Sequence, residues 1–305
     1  MNLSAALAKI MGKMQPTMIQ LEGATGVAYN EEATIKLQAG LVYHSIELET
    51  NLKTVSTIEK ITIDVNGVPV AYASNKILDM LDKAYQKHQA EGRFVFDLSK
   101  FEYRTSQGIY QTQLATEITD VVTLQVKFKA KDAADPAVPT LKGKAYVTNL
   151  TPLGRVYLPT RYELTQQSAA AGEHTWNFPA GNTRSFVQRL VFVENEVSIS
   201  EIRVKRGSRT IHRVMRSDLD YGLQRYAGIN LQAGYCILDF TQLGFGAEGA
   251  LSTAGLSFEF VVDGAGAIKT YVEGFKQVKE LPTPAQLAQL VQANAANDAF
   301  AANAA

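Results

Sequence analysis

The chain has 305 residues, enough for two domains that each bury a core of their own. Its 30 basic and 30 acidic side chains cancel, so the basic excess of a general nucleic-acid binder is missing. A single cysteine, Cys236, excludes an intrachain disulfide framework and a cysteine-based zinc site, which leaves packing to hold the fold.

Residues 1–22 read as an arm. Leu3, Leu7, Ile10, Met11 and Met14 recur at helical spacing around Lys9 and Lys13, which predicts a short amphipathic helix ending before Pro16. The two lysines interrupt the stretch where the apolar core of a signal peptide would lie. Such a helix either packs on the body of the protein or lies on a membrane surface or a neighbouring subunit. Leu3, Leu7, Lys9, Ile10 and Lys13 are the candidate contact residues for the second case.

Strands follow. Ala33–Leu37, Ser45–Glu49 and Ile61–Val65 alternate apolar and polar residues, and Asn66-Gly67 supplies a hairpin turn. From Ser74 the period changes: Ile77, Leu78, Leu81 and Tyr85 mark a helical face, with Ser74 as N-cap. Phe94–Asp97 and Leu124–Phe128 return to strand. Four prolines between Asp132 and Pro159 make that stretch read as a crossing, with a linker at 143–154 between domains at 23–142 and 155–280.

The second half repeats the first. Thr34–Gly40 matches Thr175–Gly181, Ile61-x-Ile63 matches Ile202-x-Val204, and Phe94–Phe101 matches Cys236–Leu243 class for class. The helix after Ser74 has a counterpart after Ser217, where Leu219, Leu223 and Tyr226 share a face and Asp220 fits a capping box. Leu124-x-Val-x-Phe128 matches Leu256-x-Phe-x-Phe260. The unit is too long for a solenoid repeat, so a whole domain is used twice. Short alternating strands, Gly/Asn/Pro turns and one inserted helix per copy predict an all-β fold of two tandem jelly-roll sandwiches. In the tail, 281–305, Thr283-Pro-Ala-Gln286 forms a capping box ahead of Leu287, Leu290 and Val291.

Catalytic chemistry finds little support. His44, His88, His174 and His212 are scattered and read as surface residues, and neither copy carries a clustered metal motif. Gly244–Gly249 fits G-x-G-x-x-G but is followed by loop and strand rather than the helix that a phosphate needs. Arg203, Lys205, Arg206, Arg209, Arg213 and Arg216 form a basic run, read as a solvated strand face or as a contact for phospholipid, DNA or an acidic neighbour. Asp97 and Asp239 occupy matching strand ends and read as turn formers.

These patterns, in this order and in duplicate, resemble the major capsid proteins of membrane-containing icosahedral bacteriophages, and among them the corticovirus coat. The residues that carry the likeness include Ile35-Lys-Leu37 with Gly40, Val65-Asn-Gly67, the helix from Leu78 to Tyr85, Leu124–Phe128 and Tyr235–Phe240. The resemblance implies a double jelly roll that forms homotrimers of six-sided outline, tiling a virion shell over an internal lipid membrane. It also implies assembly in the host cytoplasm, minor capsid and vertex proteins as partners, no specific nucleic acid, no catalytic residues, and no cofactor beyond a structural calcium whose ligands it does not name. The rival is a secreted double jelly-roll carbohydrate-binding protein or glycan hydrolase, which would expose aromatics on a sheet face. Trp176, at the position of Ile35 in an inward-reading strand, argues for core instead.

Overall fold

The computed structural model describes residues 15–103, 106–179, 181–245 and 249–303. The arm residues Leu3, Leu7, Lys9, Ile10 and Lys13 lie outside the described residues, as do 246–248 of the Gly-rich loop.

The first barrel holds β1 (Thr17–Gln20), β2 (Glu32–Leu37), β3 (Leu41–Thr50), β4 (Ile58–Val65), β5 (Val68–Ser74), helix α1 (Asn75–Ala84), β6 (Arg93–Asp97), helix α2 (Ser106–Thr112), β7 (Leu114–Ala115), β8 (Val122–Phe128) and β9 (Leu141–Asn149). The second holds β10 (Tyr157–Ser168), β11 (Gly172–Asn177), β12 (Ser185–Val193), β13 (Ile199–Arg206), β14 (Arg209–Met215), helix α3 (Arg216–Ala227), β15 (Tyr235–Asp239), β16 (Leu251–Ser252), β17 (Leu256–Val262) and β18 (Gly266–Gln277). Helix α4 (Pro284–Asn303) closes the chain.

The duplication is strand for strand. In the first barrel the order β1-β9-β3-β6 faces β2-β8-β4-β5; in the second, β10-β18-β12-β15 faces β11-β17-β13-β14. Each β-strand of the first barrel thus has a counterpart in the second, down to the short strands β7 and β16, which pair β3 and β12. The irregularities are copied too. Ladder shifts at Tyr43/Ser45, Ile58/Lys60 and Ile63/Asp64 recur at Val187/Arg189, Ile199/Glu201 and Val204/Lys205. A bulge re-aims the strand, so it is inherited with the fold.

The alternation seen in sequence is the alternation of burial. In β8 Val122, Leu124, Val126 and Phe128 are buried and the residues between them are not. Trp176 is a core residue, stacked 5.1 Å from the Phe258 ring. The ladders correct one match: Ile63 pairs with Leu124 and Val204 with Phe258, so Leu124 corresponds to Phe258 rather than to Leu256. A pattern of period two looks the same after a slip of two residues, and only the partner strand settles the register.

The expected linker is a second correction. Leu141–Asn149 is a full strand with Leu141, Gly143, Ala145 and Val147 buried, so the first barrel runs through most of 143–154. Pro136, Pro139 and Pro152 flank this strand without entering it, which is where proline costs least. Two caps also differ from expectation. Ser74 occupies the N-cap of α1 without a side-chain cap bond, and its own N–H donates to the Glu163 carboxylate from the second barrel. Helix α3 starts at Arg216, two residues earlier than read, and Asp220 binds the Arg216 guanidinium at 2.9 Å instead of capping. The tail's capping box does form: Thr283 N–H donates to Gln286 Oε1 and Gln286 N–H to Thr283 Oγ1. It opens α4 and lets Leu287 bury against Leu153, Val156 and Tyr157.

Candidate functional site: the seam between the barrels

Edge strands normally stay unpaired or guarded. Here the edge of the first barrel, β5, meets the edge of the second, β10, in parallel at Ala71 and Arg161. The contact joins two four-stranded layers into one sheet that continues from β15 to β2. Tyr72 adds a hydroxyl bond to the Glu163 carbonyl at 2.9 Å.

Beneath this bridge lies a buried charge cluster. Glu273, on β18, accepts from Lys100 Nζ at 2.9 Å and lies 3.1 Å from Arg161 Nη2 and 3.2 Å from Arg189 Nη1. Arg189 also reaches Asp239 at 3.2 Å, and Asp239 accepts from Tyr85 (2.7 Å) and Thr241 (2.6 Å). The Arg189 guanidinium rests over the Tyr85 ring at 4.2 Å and that of Arg161 over Phe96 at 5.1 Å. Lys100, Tyr85 and Phe96 belong to the first barrel and the other charges to the second.

Burial alone would raise the Glu273 carboxyl, but the surrounding Lys100, Arg189 and Arg161 outweigh it and hold it far below the usual carboxylate range. Asp239 is likewise resisted by burial and held down by Arg189 and Lys100. Desolvation, and then the charge of Arg189, pull Lys100 below an ordinary lysine despite Glu273. Ions sealed from water in this way rarely add stability over an apolar core, but stripping one partner away is costly. Of its ion pairs, Lys100–Glu273 and only that one crosses between the barrels, so parting the two faces would leave Lys100 without its carboxylate. Both carboxylates of the cluster are committed to cations. Among the described residues no group of three His, Cys, Asp or Glu side chains gathers to hold a metal.

The remaining candidates fall elsewhere. His44 is not a surface residue but fully buried, bonded to Ser99 Oγ at 2.7 Å and Thr148 Oγ1 at 2.9 Å. It falls in the bulge of β3, which turns it off the outer face, and desolvation lowers it to about 4. Cys236 is buried in β15, and burial pushes its thiol up to about 12. Much of the basic run is neutralised in place. Arg203 pairs with Glu201 and Glu173, Lys205 with Glu259, Arg213 with Glu201, and Arg216 with Glu194 and Asp220. Asp97 stays near the surface with Lys87, while its counterpart Asp239 is sealed in the seam.

Sequence reading did not single out Arg161, Arg189 or Glu273. A signal existed. Arg189 stands in Phe186-Val-Gln-Arg-Leu-Val-Phe192 and Glu273 in Tyr271-Val-Glu-Gly-Phe275, charges inside otherwise apolar strands.

Comparison with known proteins agrees with this architecture. Two family models match, the viral coat protein P2 N-terminal domain over residues 18–148 and the viral coat protein P2 C-terminal domain over residues 158–278. The major capsid protein P2 from bacteriophage PM2 is similar in structure at 17% identity, with 88% of this chain and 100% of that one covered and a TM-score of 0.74. A chain of Sulfolobus Turreted Icosahedral Virus aligns at 12% identity, over 93% of this chain and 98% of that one, with a TM-score of 0.64. The capsid of the virus PBCV-1 aligns at 10% identity, over 86% and 93%, with a TM-score of 0.57. No curated protein matches by sequence. The carbohydrate-binding alternative gains no support from these matches, and its only tryptophan lies in the core. With both barrels matched in order along the chain, the protein belongs to the viral coat protein P2 family and is a major coat protein of the virion capsid.

Proposed function

We propose that this coat protein works as a homotrimer of six-sided outline that tiles the shell over an internal lipid membrane, and that it catalyses nothing. One observation carries the reading: two barrels with the same strand order stand joined edge to edge, so three chains would supply six equivalent corners. A stable subunit of this kind should bury more than about 2,000 Å² in its contacts, in the obligate range. Neighbouring trimers and minor capsid and vertex proteins would be its other partners. The arm with Leu3, Leu7, Lys9, Ile10 and Lys13 would face the membrane or a neighbour, its apolar stripe inserted and its lysines at the headgroups.

Size-exclusion chromatography with light scattering, at micromolar protein and physiological salt, tests the trimer. A species of three chain masses is expected; monomer alone would overturn it.

A further inference from the structure

Resting on the trimer reading, we infer that the subunit interface repeats the seam: the free edge of β14 receives β1 of the next copy, bringing His212 beside the neighbour's Met18.

The argument is a transfer through the ladders. Met18 pairs with Tyr146 as Arg161 pairs with Glu273, and Ser45 pairs with both Tyr146 and Asp97 as Arg189 pairs with Glu273 and Asp239. Met18, Tyr146 and Asp97 therefore hold, on the first barrel, the places of Arg161, Glu273 and Asp239 on the second. Across the seam, Ile63 pairs with Ala71 as Val204 pairs with His212, and Lys60 with Ser74 as Glu201 with Met215. Tyr85 follows Ser74 at the same sequence distance as Tyr226 follows Met215. The internal bridge between Ala71 and Arg161 thus has one external counterpart, His212 with Met18.

Among the described residues both surfaces are open, and both carry exposed apolar groups. Met18 is 53% exposed and Tyr146 39%; on the other barrel Met215 is 44% and Tyr226 62% exposed. Tyr226 was expected on the buried face of its helix, as Tyr85 is in the first barrel. In the single chain it faces outward. Placed like Tyr85, its ring would lie against the neighbour's β1–β9 edge and its hydroxyl would reach the neighbour's Asp97, as Tyr85 reaches Asp239.

The two seams differ in chemistry. Arg161 and Glu273 become Met18 and Tyr146, so the ion pair at the centre of the internal contact gives way to uncharged side chains on this face of the external one. An apolar face can be exposed before assembly and then gain from burial, whereas an unpaired buried charge cannot be tolerated. The difference also keeps the β1 face of one copy from competing for the internal seam, where Lys100 would meet Tyr146 in the place of Glu273.

Cysteines at the bridge positions test the pairing in the full chain. Paired strands place Cα atoms within reach of a disulfide, and Cys236 is sealed away. The M18C/H212C double variant, oxidised and run without reductant, should give covalent dimers and trimers, and each single variant only monomer. A control pair at two other exposed positions, I118C/V138C, should give no trimer band. Light scattering on the same samples separates the outcomes. A wild-type monomer sinks the trimer reading itself; a wild-type trimer whose double variant does not cross-link, or cross-links no better than the control, overturns the β14–β1 pairing alone. As a second variant, Y226E should keep its circular dichroism and weaken trimer association at least tenfold; unchanged association would count against the interface.

Discussion

Tyr85 and Asp239 stand 154 positions apart in the chain, yet the tyrosine hydroxyl donates to the carboxylate at 2.7 Å. The contact ties the end of a helix in one barrel to a strand end in the other. Under the same ring lies Arg189, which Asp239 also holds. The seam is thus a single network in which most members have two partners.

Removing the hub of that network should be far worse than trimming its rim. Glu273→Gln leaves Lys100, Arg161 and Arg189 facing a neutral amide, and breaking a buried ion pair costs about 3–5 kcal/mol. Tyr85→Phe keeps the ring over Arg189 and loses one bond, a cost of about 1–2 kcal/mol. Urea melts followed by circular dichroism should rank the two in that order; equal midpoints would mean that the network does not hold the seam.

Acid should weaken the fold through His44 first. Its folded value of about 4 lies below the 6.5 of a free imidazole, so the unfolded chain binds the proton more readily. The neutral imidazole's contribution is complete above pH 6.5 and is lost as the pH falls towards 4. The change is worth about 3 kcal/mol at its limit. Glu273 and Asp239 act lower, because their folded values are depressed: their contribution is complete above the ordinary carboxylate range and disappears only in stronger acid. Melting temperature from pH 7 to 4.5 should therefore fall more steeply in the wild type than in His44→Gln. Parallel curves would show that His44 is not the sensor.

Trp176 gives the second barrel its own probe. It packs among Phe178, Phe258 and Phe260, and truncation to alanine should cost about 3–5 kcal/mol through the cavity left behind. In the wild type its fluorescence should change at the same urea concentration as the circular dichroism of both barrels, since the seam couples them. Two separate midpoints would show barrels that unfold independently.

Glycine 274 has no room for a side chain. A Cβ there would sit 1.9 Å from the Phe186 carbonyl oxygen, a backbone atom held in the neighbouring strand. Gly274→Ala should yield insoluble or unfolded protein, whereas Gly264→Ala, with nothing within 4 Å, should fold normally. Soluble expression and circular dichroism of the pair decide the point.

The duplicated fold was legible because period-two burial and turn residues are local signals. Ile35, Ile61, Ile63 and Val126 carry them in one copy, and Ile202, Val204 and Phe260 in the other. What escaped was set by distant partners. The register of β17 needed β13 beside it. The strand at Leu141–Asn149 was hidden by its flanking prolines, although its own alternation is regular. His44 looked like a surface residue until a bulge turned it inward. The seam was harder to read: Arg189 and Glu273 stand out only as charges inside largely apolar strands, Lys100 has no local pattern, and only the docking of the two barrels brings Lys100 within 2.9 Å of Glu273.

The sheet that runs from β15 to β2 passes through both barrels. Any change in the angle between them would have to shear the Ala71–Arg161 bridge and part the buried Lys100–Glu273 ion pair. Each chain is in that sense a stiff plate. The bending that a closed container requires must then be taken up at joints between chains, and a given plate can serve in flat facets and at their creases without altering its own shape.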